Sequence, residues 1–396
     1  MSQTRVQLIE DGHVVNADLA SNAVTTAKVA DDAITLAKLS ATGTPSSSTF
    51  LRGDNSFQSV PAGAGKAKNL IINGAMEVAQ RGTSSTTSAY ETVDRFSWDA
   101  FAMGAAATQS QSDVASGTTP YTEGFRKAFK LTIGNNGSPA ASTRVAFEYK
   151  IEARDIATSG WNYASTSSYI TISYWVKSSV AQNFYNTFTT DDGTSQRYVT
   201  ETGSLSADTW TKITKSIPGN SNLTFNNDNG EGLGITWEMF RGTDQTGTRP
   251  LNAWAAADNA TRTPDQTSTW YTTNGATFEI TGVQIELGDE ATDFEHQSFG
   301  EDLARCQRYF YIWGFSVHNS DGDIEMNFIP KDMRALPTVT RRGNVMFGGE
   351  SSTAVTAIYN NAGPAVNNQP GSNLILRCIN SSDANCGGQY SFNSEL

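Results

Sequence analysis

The residues best able to do chemistry in this chain are aromatic rings set among amides and hydroxyls. Trp161 and Tyr163 fall in SGWNYAS, Trp254 in LNAWAAADN, and Trp270 with Tyr271 in TSTWYTTNG, all turn-rich contexts. An indole or phenol face stacks on the C–H groups of a sugar ring while neighbouring amides and carboxylates take its hydroxyls. These positions are therefore candidate ligand contacts, set against burial, the commoner fate of a large aromatic. Trp175 joins them because alternation in SYITISYWVKS places it outward with Thr171, Ser173 and Lys177, opposite Ile170, Ile172, Tyr174 and Val176.

Other chemistry is represented weakly. Asp289, Glu290, Asp293 and Glu295 contain enough carboxylates for a glycosidase pair, which must flank a sugar bond at about 5 to 9.5 Å. They directly precede a predicted helix, however, where negative charge is stabilised by the helix dipole. His13, His296 and His318 stand apart from one another and from the cysteines, with no zinc-ligand spacing. Asn226, Asp228 and Glu231 in FNNDNGEG offer calcium donors in a pattern that misses the EF-hand loop, so a solvated turn is the simpler reading. Arg52-Gly53-Asp54 is better explained as turn geometry than as an adhesion motif. With no nucleophile elbow, Walker or H-E-x-x-H motif either, the expectation is a non-enzymatic chain with no catalytic residue, no resident metal and no cofactor.

Composition narrows the partners. A net charge of −12 opposes binding to a phosphate backbone, so nucleic acid is a poor partner. No apolar run approaches the roughly 20 residues that cross a bilayer, and MSQTRVQLIEDG lacks an apolar signal core. A soluble protein made in the cytoplasm, without membrane insertion, is expected. The three cysteines, Cys306, Cys378 and Cys386, are too few and odd in number for a disulfide framework. Reduced thiols are expected, although Cys378 and Cys386 flank SSDAN and would face each other across a hairpin there.

The elements that must position any site are mostly β. Hydrophobic content of 38% with abundant Gly, Ser, Thr, Asn and aromatics suits short strands with many turns. The first forty residues differ: in register, DGHVVNADLA, SNAVTTAKVA and DDAITLAKLS align Val14, Val24 and Ile34 at one position and Leu19, Val29 and Leu39 at another. An apolar residue at every fifth position offers one chain too little area for a core, so this seam should be buried against copies of itself. Short turns or extended pieces about a threefold axis suit it better than a coiled coil, whose apolar spacing alternates between three and four. ATGTPSSSTF and PAGAGKAK read as linkers on either side of a small hairpin, FLRGDNSFQSV.

From residue 69 to 297 strand patterns recur. Phe129, Leu131 and Ile133 share a face, as do Val145, Phe147, Tyr149 and Ile151, and Leu233, Ile235, Trp237 and Met239, which implies a sandwich. In ATFEITGVQIEL the apolar parity slips at Thr281-Gly282: either a β-bulge keeps both halves facing the core, or this is an edge strand. Residues 298–307 carry the S-x-x-E capping box at Ser298 and Glu301 with Leu303 and Cys306 on one side, a short helix. It opens a third module, 298–396, of β-hairpins: YFYIWGFSV and DIEMNFIP joined by a tight Asp321-Gly322 turn, then NVMFGG, AVTAIYN, LILRCIN and QYSFNSEL.

Several of these segments together resemble the tail-fibre and receptor-binding proteins of tailed bacteriophages. TTAKVADDAITLAKLS is similar to their ADGAVTTAKI-type stalk repeats, and FLRGDNSFQSV to their FLRGDGTWQ hairpin, with Asn55 for Gly and Phe57 for Trp. NLIINGAMEVAQRG with DRFSW, and NGATFEITGVQIELGDEATDFEHQSFGEDLARCQRYF, resemble the two ends of a jelly-roll module found in many such fibres. The resemblance implies a homotrimer with an attachment and stalk region (1–68), a jelly roll similar to carbohydrate-binding modules (69–297), and a short helix with a distal C-terminal β-domain (298–396). It implies a virion protein that adsorbs to the host by binding a bacterial surface glycan. Only about ten residues precede the repeats, so the N-terminal partner, a phage tail or capsid protein, stays open. The alternatives are an architectural capsid fibre or tail connector carrying another adhesin and, further off, a polysaccharide depolymerase.

Light scattering of the purified protein at micromolar concentration should return three times the chain mass, and a monomer would refute self-association through Val14 to Leu39.

Overall fold

The computed structural model describes residues 41–46, 49–59, 69–319, 324–328, 333–335, 337–343, 357–361, 373–378 and 384–396, together with Val29 and Lys38. Of the seam, Val14, Leu19, Val24, Ile34 and Leu39 lie outside the described residues, and Val29 is half-buried. The chain divides into two units, Met1–Ala64 and Gly65–Leu396.

In the first unit, β1 (Thr49–Leu51) pairs antiparallel with β2 (Phe57–Ser59), Leu51 opposite Phe57. The Asp54 carboxylate accepts from Ser56 N at 3.0 Å and Ser56 Oγ at 2.7 Å, so the Arg-Gly-Asp triplet serves the turn. Asn55 sits at φ +63°, a left-handed conformation that Asn tolerates better than most side chains.

The second unit is built on a sandwich of two six-stranded antiparallel sheets. One runs β13 (Trp254–Ala256), β10 (Gln196–Ser204), β9 (Asn183–Thr190), β12 (Glu231–Arg241), β7 (Arg144–Glu152), β4 (Ser97–Phe101). The other runs β11 (Thr211–Pro218), β8 (Tyr169–Ser178), β14 (Thr277–Leu287), β6 (Lys127–Thr132), β5 (Thr108–Asp113), β3 (Ser84–Ser85). Single helical turns, α1 (Thr119–Thr122), α2 (Ala153–Ala157) and α3 (Thr269–Thr272), lie in the connections.

Strand alternation turns one apolar set from each sheet into a common core. Phe147, Tyr149, Phe188, Ile235 and Trp237 meet Phe129, Ile172, Tyr174, Phe278 and Ile285 in one buried cluster. Phe129 and Phe147 lie 4.2 Å apart between ring centres, and Tyr174 meets Trp237 edge-on at 5.8 Å. The parity slip in β14 is a bulge: its pairing with β8 shifts between Thr281 and Gln284, and Gly282 takes φ +64°. Phe278 and Ile280 before it, and Val283 and Ile285 after it, are all buried.

The two ends of the sandwich segment lock onto each other around this bulge. Val283 N donates to Gly74 O and Leu70 N to Ile285 O, both at 2.9 Å. Asn69 donates from Nδ2 to Val283 O and accepts from Ile285 N, each at 3.0 Å. A side chain at position 74 would meet Val283 O at 2.1 Å, so only Gly permits this approach.

Helix α4 (Phe299–Cys306) begins with the expected capping box between Ser298 and Glu301, and buries Cys306 against Ile72, Val78 and Tyr309. The strands beyond it depart from the expected hairpins. β15 (Phe310–Asn319) pairs with β20 (Ala384–Asn393), itself flanked by β17 (Thr338–Gly343), while β16 (Ile324–Phe328) pairs with β19 (Asn373–Cys378), flanked by β18 (Ala357–Asn361). Consecutive β15 and β16 thus belong to different sheets, and Asp321-Gly322 lies outside the described residues. The facing of Cys378 and Cys386 across a hairpin is likewise corrected: Cys386 stands in register with Val317 and Cys378 with Ile324. A ten-residue ladder with β15 claims β20, and local turn propensity does not outweigh that many pairings.

Buried charges fasten the C-terminus to the sandwich. Glu395 pairs with Arg95 and, at 3.2 Å, with Arg81, whose other nitrogen reaches Asp94 at 3.3 Å. The Arg95 guanidinium lies 3.4 Å above the Tyr309 ring. Glu152 accepts from Arg308 Nε at 3.0 Å, Arg308 Nη2 at 2.8 Å and Tyr309 Oη at 2.5 Å. Burial pushes the Asp94 carboxyl up to about 6 against the pull of Arg81.

Gly282→Ala should cost about 2–4 kcal/mol in urea denaturation, because an added methyl would sit 2.6 Å from the Phe125 ring at a strained φ. Gly275→Ala, at φ +74° with nothing within 4 Å, should cost about 1 kcal/mol. Equal losses would refute the packing role of the bulge.

Candidate functional site

The alternation that sends Phe147, Tyr149, Ile235 and Trp237 inward sends Glu148, Lys150, Thr236 and Glu238 to the opposite face of the same sheet. A groove of about 410 Å³ lies on that outer face. β7 supplies Glu148 and Lys150, β12 Glu231 and Thr236, β9 Thr189, and β10 Arg197, while Asn259 and Arg262 reach in from the segment after β13. Gly234 keeps its floor open: a side chain there would meet Glu231 Oε1 at 2.5 Å. A volume of this size falls in the range of small-ligand sites.

The groove has two electrostatic ends. At one, Lys150 Nζ and Glu231 Oε2 pair at 2.9 Å. At the other, Arg197 donates from Nε to Thr189 Oγ1 at 3.1 Å, from Nη1 to Asp258 O at 2.5 Å and from Nη2 to Asn259 Oδ1 at 3.2 Å, all neutral oxygens. Arg262 shares that Asn259 oxygen at 3.3 Å. Its Nε is buried 3.8 Å from Glu238, beyond hydrogen-bond reach. Both oxygens of Glu238 are already taken by Arg241, at 2.5 and 3.1 Å. Arg249 ties the wall together by donating to Ala255 O, Ala256 O and Arg197 O.

Burial acts on both signs of charge here. It pulls the Arg197 guanidinium down to about 10, helped by the repulsion of Arg262, and it lowers Arg262 as well, against the attraction of Glu238. It raises the Glu148 carboxyl, with Asp99 and Glu238 adding to the shift.

None of the six aromatic candidates lines this groove. Trp270 and Tyr271 are 0% and 1% exposed; the indole donates to Thr277 O, and the phenol ring stacks on Phe240. Trp161 is buried against Phe225 with its N–H on Ser168 O, and half-buried Tyr163 packs edge-on against the same ring. Trp175 does point away from the core, but its own chain covers it: Phe125 and Phe294 pack there and Glu123 takes its N–H at 2.9 Å. Trp254 rests half-buried beside Tyr198, its N–H on Pro218 O. Trp161, Trp175, Trp270 and Tyr271 are thus buried in packing within the chain, while Tyr163 and Trp254 keep part of their surface exposed.

Some of the acidic and histidine candidates have partners in the chain. Glu295 Oε2 accepts from Asn69 N at 3.0 Å. Asp228 Oδ1 accepts from Gly230 N at 2.8 Å, and Asn226 N donates to Asp192 at 2.8 Å. His296 Nε2 contacts Glu123 O at 2.8 Å, and His13 and the side chain of His318 lie outside the described residues. Among the described residues no group of His, Cys, Asp and Glu is arranged to hold a metal. Glu148 and Lys150 were readable as the outward parity of β7. Arg197, Asn259 and Arg262 carry no local signal, since β10 and the distant segment after β13 meet only in the folded chain.

No family model matches the sequence, nor does a curated protein. Solved structures align over about half of it. The enzymatically active domain of Bacteriophage CBA120 tailspike protein 4 shares 8% identity and a TM-score of 0.28, covering 55% of this chain and 21% of that one. The family 11 carbohydrate-binding module of the Clostridium thermocellum cellulase Lic26A-Cel5E shares 14% at a TM-score of 0.24, covering 54% and 98%. A putative sugar binding protein from Bacteroides thetaiotaomicron shares 10% at 0.25, covering 56% and 100%. The chain thus spans about a fifth of the tailspike it matches. Likeness at these scores says nothing of what the groove takes.

Glu148 yields a pH prediction. Its carboxyl holds a proton more tightly folded than unfolded, so its contribution to stability is greatest below the ordinary value of 4.5 and is lost as pH rises through the higher folded value. Glu148→Gln should therefore raise the melting temperature at pH 7.5 and leave it nearly unchanged at pH 4; the reverse order would refute the buried-acid assignment.

Proposed function

We propose that this chain is a trimeric virion fibre protein of a tailed bacteriophage that adsorbs to its host by binding surface glycan in the groove on the outer face of the sandwich. The observation that carries the binding role is the lining itself: carboxylates, guanidiniums, an amide and hydroxyls converge on one cleft held by four rigid strands. Such a set suits a ligand rich in hydroxyls, each able to donate and accept. The Glu231–Lys150 pair would orient ring hydroxyls at one end, and Arg197 with Asn259 would hold the other.

The stalk repeats and the hairpin, with their likeness to phage fibres, support the virion setting. Weak single sites suffice when a trimer presents three of them and a particle carries several trimers, because linked sites multiply affinity without new contacts. The groove is read as holding sugar and leaving it intact. Of the carboxylates that line the groove, Glu231 is paired with Lys150, which suits holding a hydroxyl better than attacking a sugar bond.

Lys150→Ala removes the groove's ammonium, whose pair with Glu231 is partly exposed, and should weaken binding to arrayed bacterial surface polysaccharides by about tenfold or more while the melting temperature changes little. Unchanged binding would move the site elsewhere, and release of reducing ends from those polysaccharides would overturn the non-enzymatic reading.

A further inference from the structure

We infer that the hairpin of β1 and β2 closes a ring with its own copies, the Phe50 face of one chain packing on the Leu51 and Phe57 face of the next; this rests on the trimer reading above and adds a second contact to it. Alternation and register put apolar groups on both faces of one small ribbon. Leu51 stands opposite Phe57, so these two share a face, while Phe50 stands opposite Gln58 on the other. Phe50 is 44% exposed and Leu51 40%. The neighbouring chain covers only Phe57: its N–H donates to Thr42 O at 2.7 Å, Gly43 passes against it, and it is half-buried. Two strands of three residues each have no interior for the other two side chains, and such a hairpin is marginal in water with nothing packed on it.

Sequence continuity and charge make a second copy the occupant. Leu39, the last apolar position of the repeat, stands eleven positions before Phe50, so copies joined at that seam hold their hairpins at about millimolar effective concentration. A contact too small to assemble free chains then suffices. The stretch from Thr49 to Ser59 carries one cation, Arg52, and one anion, Asp54, so it meets its copies without the repulsion expected from a net charge of −12 over the whole chain. Symmetry then selects the ring. A twofold dimer buries the same face on both partners and leaves the other in water, whereas a head-to-tail contact joins unlike faces and covers both once it closes. Copies held in threes by the seam close that ring at three.

Sedimentation of the full chain in rising urea reads dissociation of the trimer. Phe50→Asp and Leu51→Asp should each raise the dissociation constant about tenfold or more, since each strips the apolar group from one of the two faces. Phe50→Leu should keep most of the assembly, and Phe299→Asp, at an exposed phenylalanine of α4, should leave it unchanged. Loss with only one of the two Asp variants overturns the ring. Loss with neither overturns the hairpin contact and leaves the trimer reading standing, and a native chain that sediments as a monomer overturns both. Near-ultraviolet circular dichroism, which reports the buried aromatic core of the sandwich, should be the same for every variant; where an Asp variant alters it, Phe50→Ser and Leu51→Ser decide.

Discussion

Burial of the Trp237 layer is the constraint from which the rest of the second unit follows. Trp237 is 1% exposed and meets Phe96 from its own sheet's side and Tyr174 from the facing sheet. A side chain of this size, cut to Ala in a close-packed core, would forfeit about 3–5 kcal/mol. That energy fixes the register of β12, and β12 in turn sets β7 and β9, which pair along both its edges. With period-two alternation, one buried ring decides that Thr236, Glu148 and Thr189 share the opposite face. The groove is the outer consequence of the core.

Charge follows the same logic at both buried clusters. Around Glu395 and Arg95 every charge has a partner, and the cluster ties the C-terminal residues to the sandwich. Removing one member of such a set leaves its partner desolvated and uncompensated, a larger loss than the pair is worth. At the groove Arg262 lies 3.8 Å from Glu238, which Arg241 also engages, and Glu148 adds a second carboxylate that acts on Arg262.

The segments most legible in the sequence turn out to be architectural. NLIINGAME and TGVQIEL meet as Asn69, Gly74, Val283 and Ile285 and close the sandwich around its bulge. The slip at Thr281-Gly282 and the Ser298–Glu301 cap were readable because each is a local rule, a parity count and a three-residue spacing. The burial of Trp161, Trp175, Trp270 and Tyr271 was not legible for the converse reason. Local sequence shows that Trp270 and Trp161 lie near turns, but whether a ring faces water depends on what packs over it, and that comes from strands far along the chain.

By itself the sequence determined the mostly β character of the chain, the inward and outward parity of its main strands, the bulge, the capped helix and the repeated apolar seam at its start. All of these rest on periods and spacings within a few residues. Only the tertiary structure decided that β20 pairs with β15, that Trp175 is covered by its own chain, and that Arg197 and Arg262 meet across β10 and the segment after β13. Those outcomes depend on contacts between residues far apart in sequence, whose energies are set by burial and pairing once the two sheets have closed on each other.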